Sequence, residues 1–247
     1  MKDHKILPTV MQTGERSIRF SFGDEISDGV FRQIRWFCDL IENNKAFDVE
    51  DVVPSYTTVH VYLASANPLP LNWGYELFEL WNRLDFKQMK LTNAFKRIEI
   101  PVCYDPAFAL DLQRVVDHTN LTEKEIIQSH TAASYAVYAI GFLPGFPYLG
   151  GLQPELATPR LKVPRERVEE GTVGIGGAQT GVYPVGSPGG WNIIGRTPLS
   201  LYDPNRTIPF LCSAGDIVNF KSISIEKYTE IKEQLLHHPD DIQQWIT

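Results

Sequence analysis

Two side chains of this 247-residue sequence carry the most obvious chemistry. Arg196 is the first charge after the 25 uncharged residues from Gly171 to Gly195, and it is the only Lys or Arg between Arg167 and Arg206. A guanidinium stays charged and favours carboxylate or phosphate partners. Arg196 therefore reads as the anchor of an anionic ligand, or as the partner of a carboxylate such as Asp203. His130 stands near the end of a predicted helix, just before a glycine-rich region. A helix C-terminus favours the imidazolium, and this side chain titrates near neutrality. It is a candidate general acid or base; the other reading is a packed, structural histidine. Gln179, Thr180 and Asn192 are neutral polar groups in the same stretch. They suit either ligand orientation or turn stabilisation.

The turns around these residues are rich in glycine. Gly174-Ile-Gly-Gly177 supplies Gly176 and Gly177, and Gly186-Ser-Pro-Gly-Gly190 supplies Gly189 and Gly190. Their backbone N–H groups suit an anion site; tight turns between strands are the alternative. The first turn lacks the Lys-Ser/Thr of a P-loop and does not fit G-x-G-x-x-G. The second lacks the G-x-S-x-G of a hydrolase elbow, which removes Ser187 as a nucleophile. From Gly141 to Ser200 the chain holds 13 of its 18 glycines and 8 of its 17 prolines. A linker of that composition would be polar and repetitive. This one carries Phe142, Phe146, Tyr148, Tyr183, Trp191, Ile193 and Ile194, as ordered, packed loops do.

Composition excludes several classes. Apolar residues at 43% and charged residues at 21% are ordinary for a globular protein. The net charge of −7 disfavours nucleic acid and anionic membranes as partners. No apolar run approaches the roughly 20 residues that span a bilayer. The N-terminal stretch shows no apolar core or cleavage site, so the expected location is cytoplasmic. Cys38, Cys103 and Cys212 are widely spaced and read as buried free thiols; no Cys/His spacing suggests zinc, and no metal site is expected.

Periodicity supplies the elements that would position these groups. Ser17 to Phe22 alternates as a strand, and Gly29 to Asn43 repeats its apolar residues at helical spacing. Thr57 to Ala64 predicts a strand, Asn72 to Leu84 a helix, and Ile98 to Cys103 a further strand, giving a β-α-β-α-β layer. Asp105-Pro106 predicts a helix start, running to about His118. Thr122-x-x-Glu125 predicts a capping box for a second helix to about Ala133. A DNA-binding reading of this pair fails on charge. The segment Asp105 to Ser134 sets Arg114 and Lys124 against Asp105, Asp111, Asp117, Glu123 and Glu125. Ser134 to Ile140 predicts a strand. Short β pieces follow at 172–175, 181–185, 191–194 and 216–220, the pattern of a β-barrel or sandwich. Residues 224–247 read as helical. A boundary near residues 90–97 gives an α+β chain with two domains, 1–94 and 95–247.

The order of motifs resembles one family. Gly141-Phe-Leu-Pro-Gly-Phe-Pro-Tyr-Leu-Gly150 is followed by Pro159-Arg160 and Gly174-Ile-Gly-Gly-Ala-Gln-Thr-Gly-Val-Tyr-Pro184. Ser187-Pro-Gly-Gly-Trp191 and Gly195-Arg-Thr-Pro198 come next. These strings resemble the B subunit of bacterial 5-oxoprolinase, also called allophanate hydrolase subunit 1, a family that includes an inhibitor of a sporulation histidine kinase. His130, Ala214-Gly-Asp-Ile-Val218, Phe22-Gly-Asp24 and Val53-Pro-Ser-Tyr56 also fit its pattern. The first domain departs from it. Gly14-Glu-Arg-Ser17 matches the usual opening loosely, the Gly29–Asn43 helix lacks an Asn at its start, and Asn44 to Val49 diverges. The resemblance implies a small α/β domain followed by a cyclophilin-like barrel. It implies partners, a C subunit of related barrel architecture and an A subunit, and ATP-driven opening of 5-oxoproline to glutamate. Kinase inhibition and carboxyl transfer of the urea-carboxylase kind are the alternative activities. In the lactam hydrolase, Arg196 and the glycine turns would hold developing negative charge, His130 would move a proton, and Gln179 would orient the ligand.

Overall fold

The computed structural model describes residues 5–44, 48–64, 72–84 and 95–247. The chain folds as two compact units, Met1–Ala94 and Phe95–Thr247.

The first unit contains β1 (Thr9–Gly14), β2 (Ser17–Ser21), α1 (Asp28–Glu42), β3 (Val49–Ser55), β4 (Thr58–Leu63) and α2 (Trp73–Arg83). Its sheet is antiparallel, in the order β1-β2-β4-β3. Alternation decides which face is covered. Ile18 and Phe20 on β2 pair with Val61 and Val59 on β4, and all four are buried. The apolar stripe of α1, from Val30 through Ile34, Phe37, Cys38 and Ile41, joins the same core, as do Leu77 and Trp81 of α2. The Phe37 ring lies 4.7 Å from Phe20 and 5.5 Å from Trp81. Ser27 caps α1, its side chain accepting from the Val30 N–H.

This corrects the expected β-α-β-α-β layer. The strands β1 and β3 were not anticipated, and both are sheet edges. Every residue of β1 is exposed, so it shows no alternation, while β3 contains Pro54, which an edge tolerates.

The third expected strand belongs to the second unit, as β5 (Arg97–Cys103). It is followed by α3 (Leu112–Thr119), α4 (Glu123–Ala132), β6 (Ser134–Ile140), β7 (Pro147–Gly150), β8 (Arg165–Val168), β9 (Thr172–Ile175) and β10 (Thr180–Val182). Then come β11 (Ser187–Gly189), β12 (Asn192–Arg196), β13 (Ile217–Ile223) and α5 (Ile225–His237), with a closing 3-10 turn, Pro239–Trp245. Seven strands close a barrel in the order β10-β7-β6-β13-β5-β12-β9, while β8 and β11 pair separately. Within the barrel β5 and β13 are parallel, with Ile98 opposite Val218 and Ile100 opposite Phe220. Closure removes the sheet edges and fills the interior with Ile100, Val137, Leu149, Val173, Ile175, Val182 and Ile194.

The capping box of α4 forms as expected, with Thr122 and Glu125 exchanging backbone contacts. Asn120 ends α3 in the left-handed conformation at φ 57°. The start of α3 differs from expectation. Asp105 makes a local turn, its Oδ1 accepting from Ala107 N, and the helix begins only at Leu112. Residues 224–247 divide into α5 and the 3-10 turn, because Pro239 cannot continue a helix.

Candidate functional site: an aromatic pocket on the barrel

The glycines of the Gly174–Gly181 segment make a seat for one indole ring. A Cβ on Gly176 would stand 2.5 Å from Trp191 Nε1, and one on Gly181 would stand 3.0 Å from Trp191 Cζ3. The Gly176–Gln179 turn is closed by its own backbone, with Gly176 N donating to Gln179 C=O at 2.9 Å. Gly177, at φ 67°, exchanges two hydrogen bonds with Thr158. Both N–H groups already have protein acceptors, so this turn is no phosphate cradle, which corrects the anion reading of Gly176 and Gly177.

Asn192, at the start of β12, is fully buried, and both its amide protons and its carbonyl oxygen bond within the protein. Its Nδ2 donates to Ile175 C=O at 2.9 Å and Pro159 C=O at 3.1 Å, and its Oδ1 accepts from Arg114 Nε at 2.8 Å. Leu161 N adds a bond to Gly190 C=O at 2.7 Å. These contacts hold the loop that carries Arg160. The expected ligand-orienting role of Asn192 is therefore replaced by loop positioning. Asp111 stitches the same region: one carboxylate oxygen accepts from Ile193 N, and the other pairs with Arg165 at 2.7 Å.

The result is a pocket of about 200 Å³. Phe146, Tyr148, Tyr183 and Trp191 form its walls, Gly189 and Gly190 its edge, and Arg160 its charged rim. The Phe146 ring stands edge-on to Tyr183 at 5.4 Å and to Trp191 at 5.6 Å. The guanidinium of Arg160 lies over the indole, 5.6 Å from its centroid. Burial raises the Tyr183 phenol above its usual range, against the opposing pull of a backbone contact at Trp191 and of Arg160 and Arg165. Phe142, also in the lining, is largely exposed and sits at φ 66°. That is a strained setting for a bulky residue, of the kind found at ligand clamps. Among the described residues no Asp, Glu, His or Cys lines the pocket. It can hold a small, flat ligand with a negative group, while a proton-accepting base must come from elsewhere.

The other sequence candidates lie apart from this pocket. His130 is completely buried. Its Nδ1 lies 2.7 Å from Tyr104 Oη and its Nε2 lies 2.9 Å from Thr180 Oγ1, while its ring stacks on Phe220 at 4.5 Å. Burial lowers its pKa to about 3. A neutral, enclosed imidazole with both nitrogens engaged is not an open acid–base group, so the proton-transfer expectation is corrected. Thr180, expected to bind ligand, is the buried partner of this histidine. Arg196 donates from Nε to Glu170 C=O at 2.9 Å and lies 6.0 Å from the Phe108 ring centroid. Neither it nor the half-buried Gln179 is among the pocket-lining residues. The structure thus brings together His130 with Thr180 in the core, and Gly189 with Gly190 at the aromatic pocket. Arg160, Tyr148 and Tyr183 were missed as site residues. Their signal was present in the interleaving of aromatic residues with Gly and Pro from Phe142 to Trp191.

Among the described residues no group of His, Cys, Asp and Glu is arranged to hold a metal ion, and no helix is long and apolar enough to cross a membrane.

Comparison with known proteins places the chain in a family. The sequence matches the family described as "Carboxyltransferase domain, subdomain C and D" over residues 8–212. It is 34% identical to the 5-oxoprolinase B subunit of Bacillus subtilis, over 91% of this chain and 97% of the relative. It is 43% identical to the 5-oxoprolinase B subunit of Escherichia coli O157:H7, over 70% of this chain and 78% of that protein. The solved structure of TTHA0988 superposes with a TM-score of 0.71 at 33% identity, covering 85% of this chain but only 40% of the other, so this chain spans less than half of that protein. Fold, motif order and identity along nearly the whole length agree: the chain belongs to the family of 5-oxoprolinase B subunits.

Proposed function

We propose that this chain is the B subunit of a 5-oxoprolinase, a lactam hydrolase that opens 5-oxoproline to glutamate with ATP, working with an A and a C subunit. The observation that carries the reading is the 34% identity to a 5-oxoprolinase B subunit over 97% of that relative's length. The aromatic pocket supports it chemically. A five-membered lactam is flat and bears one carboxylate, which matches ring walls beneath a guanidinium rim.

The role of this chain is to bind and orient. Arg160 takes the ligand carboxylate, and Phe146, Tyr183 and Trp191 hold the ring and exclude water from one side. ATP supplies the activation that a stable amide needs. The glycine turn at Gly174–Gly177 does not fit a triphosphate, because its N–H groups and the space above it are occupied. We therefore assign the nucleotide to another subunit, and the base that activates water likewise.

The test is reconstitution with the A and C subunits, followed by ATP-dependent release of glutamate from 5-oxoproline. Arg160 is exposed, so Arg160→Ala should leave thermal stability within about 0.5 kcal/mol. It should raise KM for 5-oxoproline by roughly tenfold or more, the scale of a lost charge-assisted contact. An unchanged KM would remove Arg160 from the site, and no turnover by the assembled wild-type complex would remove the activity itself. The description of the matched family favours carboxyl transfer as the second reading, which a biotin-dependent partner would reveal.

A further inference from the structure

Phe142 occupies a setting that its own burial does not explain. It lies in the loop between β6 and β7 at φ 66°, in the left-handed region. The other described non-glycine residues in that region sit at chain reversals: Asn120 ends α3, and Tyr56 joins β3 to β4. Glycine takes such a φ without strain, whereas a bulky residue does not. Burial does not offset the strain, because Phe142 is 69% exposed. The surrounding backbone imposes it instead. Gly141 N donates to Phe146 C=O at 3.1 Å, and Phe146 N donates to Leu143 C=O at 3.1 Å. Gly145, at φ 78°, lets the same loop press on Tyr202, where a Cβ would stand 2.9 Å from the Tyr202 Cβ. The loop thus holds the Phe142 ring in the lining of the aromatic pocket, edge-on to Phe146 at 5.9 Å.

The ring faces a space with one positive group. Among the described residues Arg160 is the sole Lys or Arg in the lining. A lactam carboxylate brings one negative charge, for Arg160, and a neutral ring whose methylene edge is apolar. Its opened form brings a second carboxylate, for which the lining offers no second cation. Aromatic faces carry negative charge density and repel that group. Arg160 also covers the indole face on which the new ammonium would otherwise lie. An exposed ring fixed beside such a ligand gains contact area when the ligand is a closed, uncharged ring, and gains little from a charged chain that stays hydrated. From the strained, exposed ring on a tied loop beside a single guanidinium, we propose that Phe142 is a specificity-determining residue. Its ring covers the methylene edge of a bound lactam and favours the closed ring over the opened chain, which also speeds release of product. This rests on the reading of the aromatic pocket as the ligand site.

The experiment follows the Trp191 indole N–H signal of the full chain by ¹H–¹⁵N spectroscopy, assigned with Trp191→Phe. The probes are L-5-oxoproline, cyclopentanecarboxylate and L-glutamate. Both rings should bind the wild type at or below about 10 mM, the range of a small single-site ligand, and L-glutamate at least roughly tenfold more weakly. Phe142→Gly should weaken both rings about tenfold, the scale of roughly 50 Å² of lost apolar contact. It should change L-glutamate by less than about twofold. Phe142→Tyr keeps the ring and should stay within about twofold of wild type for all three. Because glycine relieves the strain at this φ, the Tm of Phe142→Gly should hold or rise by up to about 4 °C. A packing role would lower it. Equal weakening of all three probes, unchanged ring binding in Phe142→Gly, or a fall in its Tm would each overturn the proposal. Failure of the wild type to bind either ring would overturn it together with the pocket's assignment. Ring binding that depends on Phe142, found alongside a reconstituted complex without turnover, would remove the hydrolase reading and sustain this one.

Discussion

The Nε2 of His130 lies 2.9 Å from Thr180 Oγ1 inside the closed barrel, and that contact fixes the state of the imidazole. The Thr180 hydroxyl donates its only proton to Gly174 C=O at 3.0 Å. It must therefore accept from an N–H on Nε2, which leaves Nδ1 to accept from the Tyr104 hydroxyl at 2.7 Å. Tyr104, His130, Thr180 and Gly174 form one directed chain across the core. A proton added to Nδ1 would clash with the Tyr104 hydroxyl proton, and burial opposes the charge as well.

This arrangement predicts a pH dependence of stability. The folded-state pKa of about 3 lies below the ordinary value of 6.5. Folding therefore favours neutral His130, and its contribution is complete above 6.5. As pH falls from 6.5 towards 3 the unfolded chain takes up a proton that the folded chain refuses. Stability should fall by at most about 1.4 kcal/mol per pH unit from this group. Urea denaturation of wild type and His130→Gln between pH 7 and 4, the range set by this linkage, gives the check. The difference between them should diminish by roughly one proton's worth as pH falls. Parallel pH curves would contradict the assignment.

Gly176 tests the seat of Trp191. A methyl group at this position meets the indole at 2.5 Å, and Gly181 approaches the benzene end of the same ring, so the indole has little room to shift along its seat. Gly176→Ala should destabilise by about 1–3 kcal/mol, the usual scale of overpacking. Because Trp191 is a wall of the pocket, ligand binding should weaken too. Near-UV circular dichroism of the indole region, together with the denaturation midpoint, reads both effects. A native spectrum and midpoint would show that the barrel opens freely around Trp191.

The thiols offer a simple check on the core. Cys38, Cys103 and Cys212 are all buried and free. Burial pushes the Cys38 thiol up to about 12, against a smaller opposing effect of Arg35, and it also raises Cys103 and Cys212. The thiolate is the reactive form, so Ellman's reagent at pH 8, well below these raised values, should find no fast-reacting thiol in the native protein. All three should react in denaturant. A fast native phase would place one of them at an accessible surface.

Much of this architecture was legible in the sequence where local signals act alone. The alternation of Ser17 to Phe22, the stripe of α1 and the Thr122–Glu125 box each need only their own neighbours, and each formed. The motif order from Gly141 to Pro198 also identified the family. What failed depended on distant partners. The exposed β1 and the proline-bearing β3 lack a buried face, so no periodicity marks them. The parallel pairing of β5 with β13 joins residues 120 positions apart, as Ile98 with Val218. His130 and Asn192 carry the side chains expected of a site, but the tertiary fold closes protein groups around both. Glycine composition suggested a phosphate cradle, whereas the space above Gly176 belongs to Trp191. Arg160 lay in a recognised motif, but only the loop's path over the barrel shows that it crowns an aromatic pocket.

Asn192 is where fold and site are most tightly joined. Its amide meets Ile175 C=O, Pro159 C=O and Arg114 Nε, linking β9, the Arg160 loop and α3 through one buried group. Asn192→Leu keeps a similar volume but leaves these partners unmatched. Each buried unsatisfied group costs about 1–3 kcal/mol, and relaxation of the exposed Arg160 loop should recover part of that. The expected net loss is about 2–4 kcal/mol, measured by urea denaturation. The sharper expectation concerns location. Amide hydrogen exchange should rise at Leu161, whose N–H bonds to Gly190, and at Gly177, which pairs with Thr158. Exchange at Val137, on β6 and not adjacent to β12 in the barrel, should follow only the global loss. Arg160→Ala added to Asn192→Leu should then cost little further ligand affinity, because the loop that presents Arg160 is already released. Full additivity of the two substitutions on binding would show that Asn192 does not position Arg160.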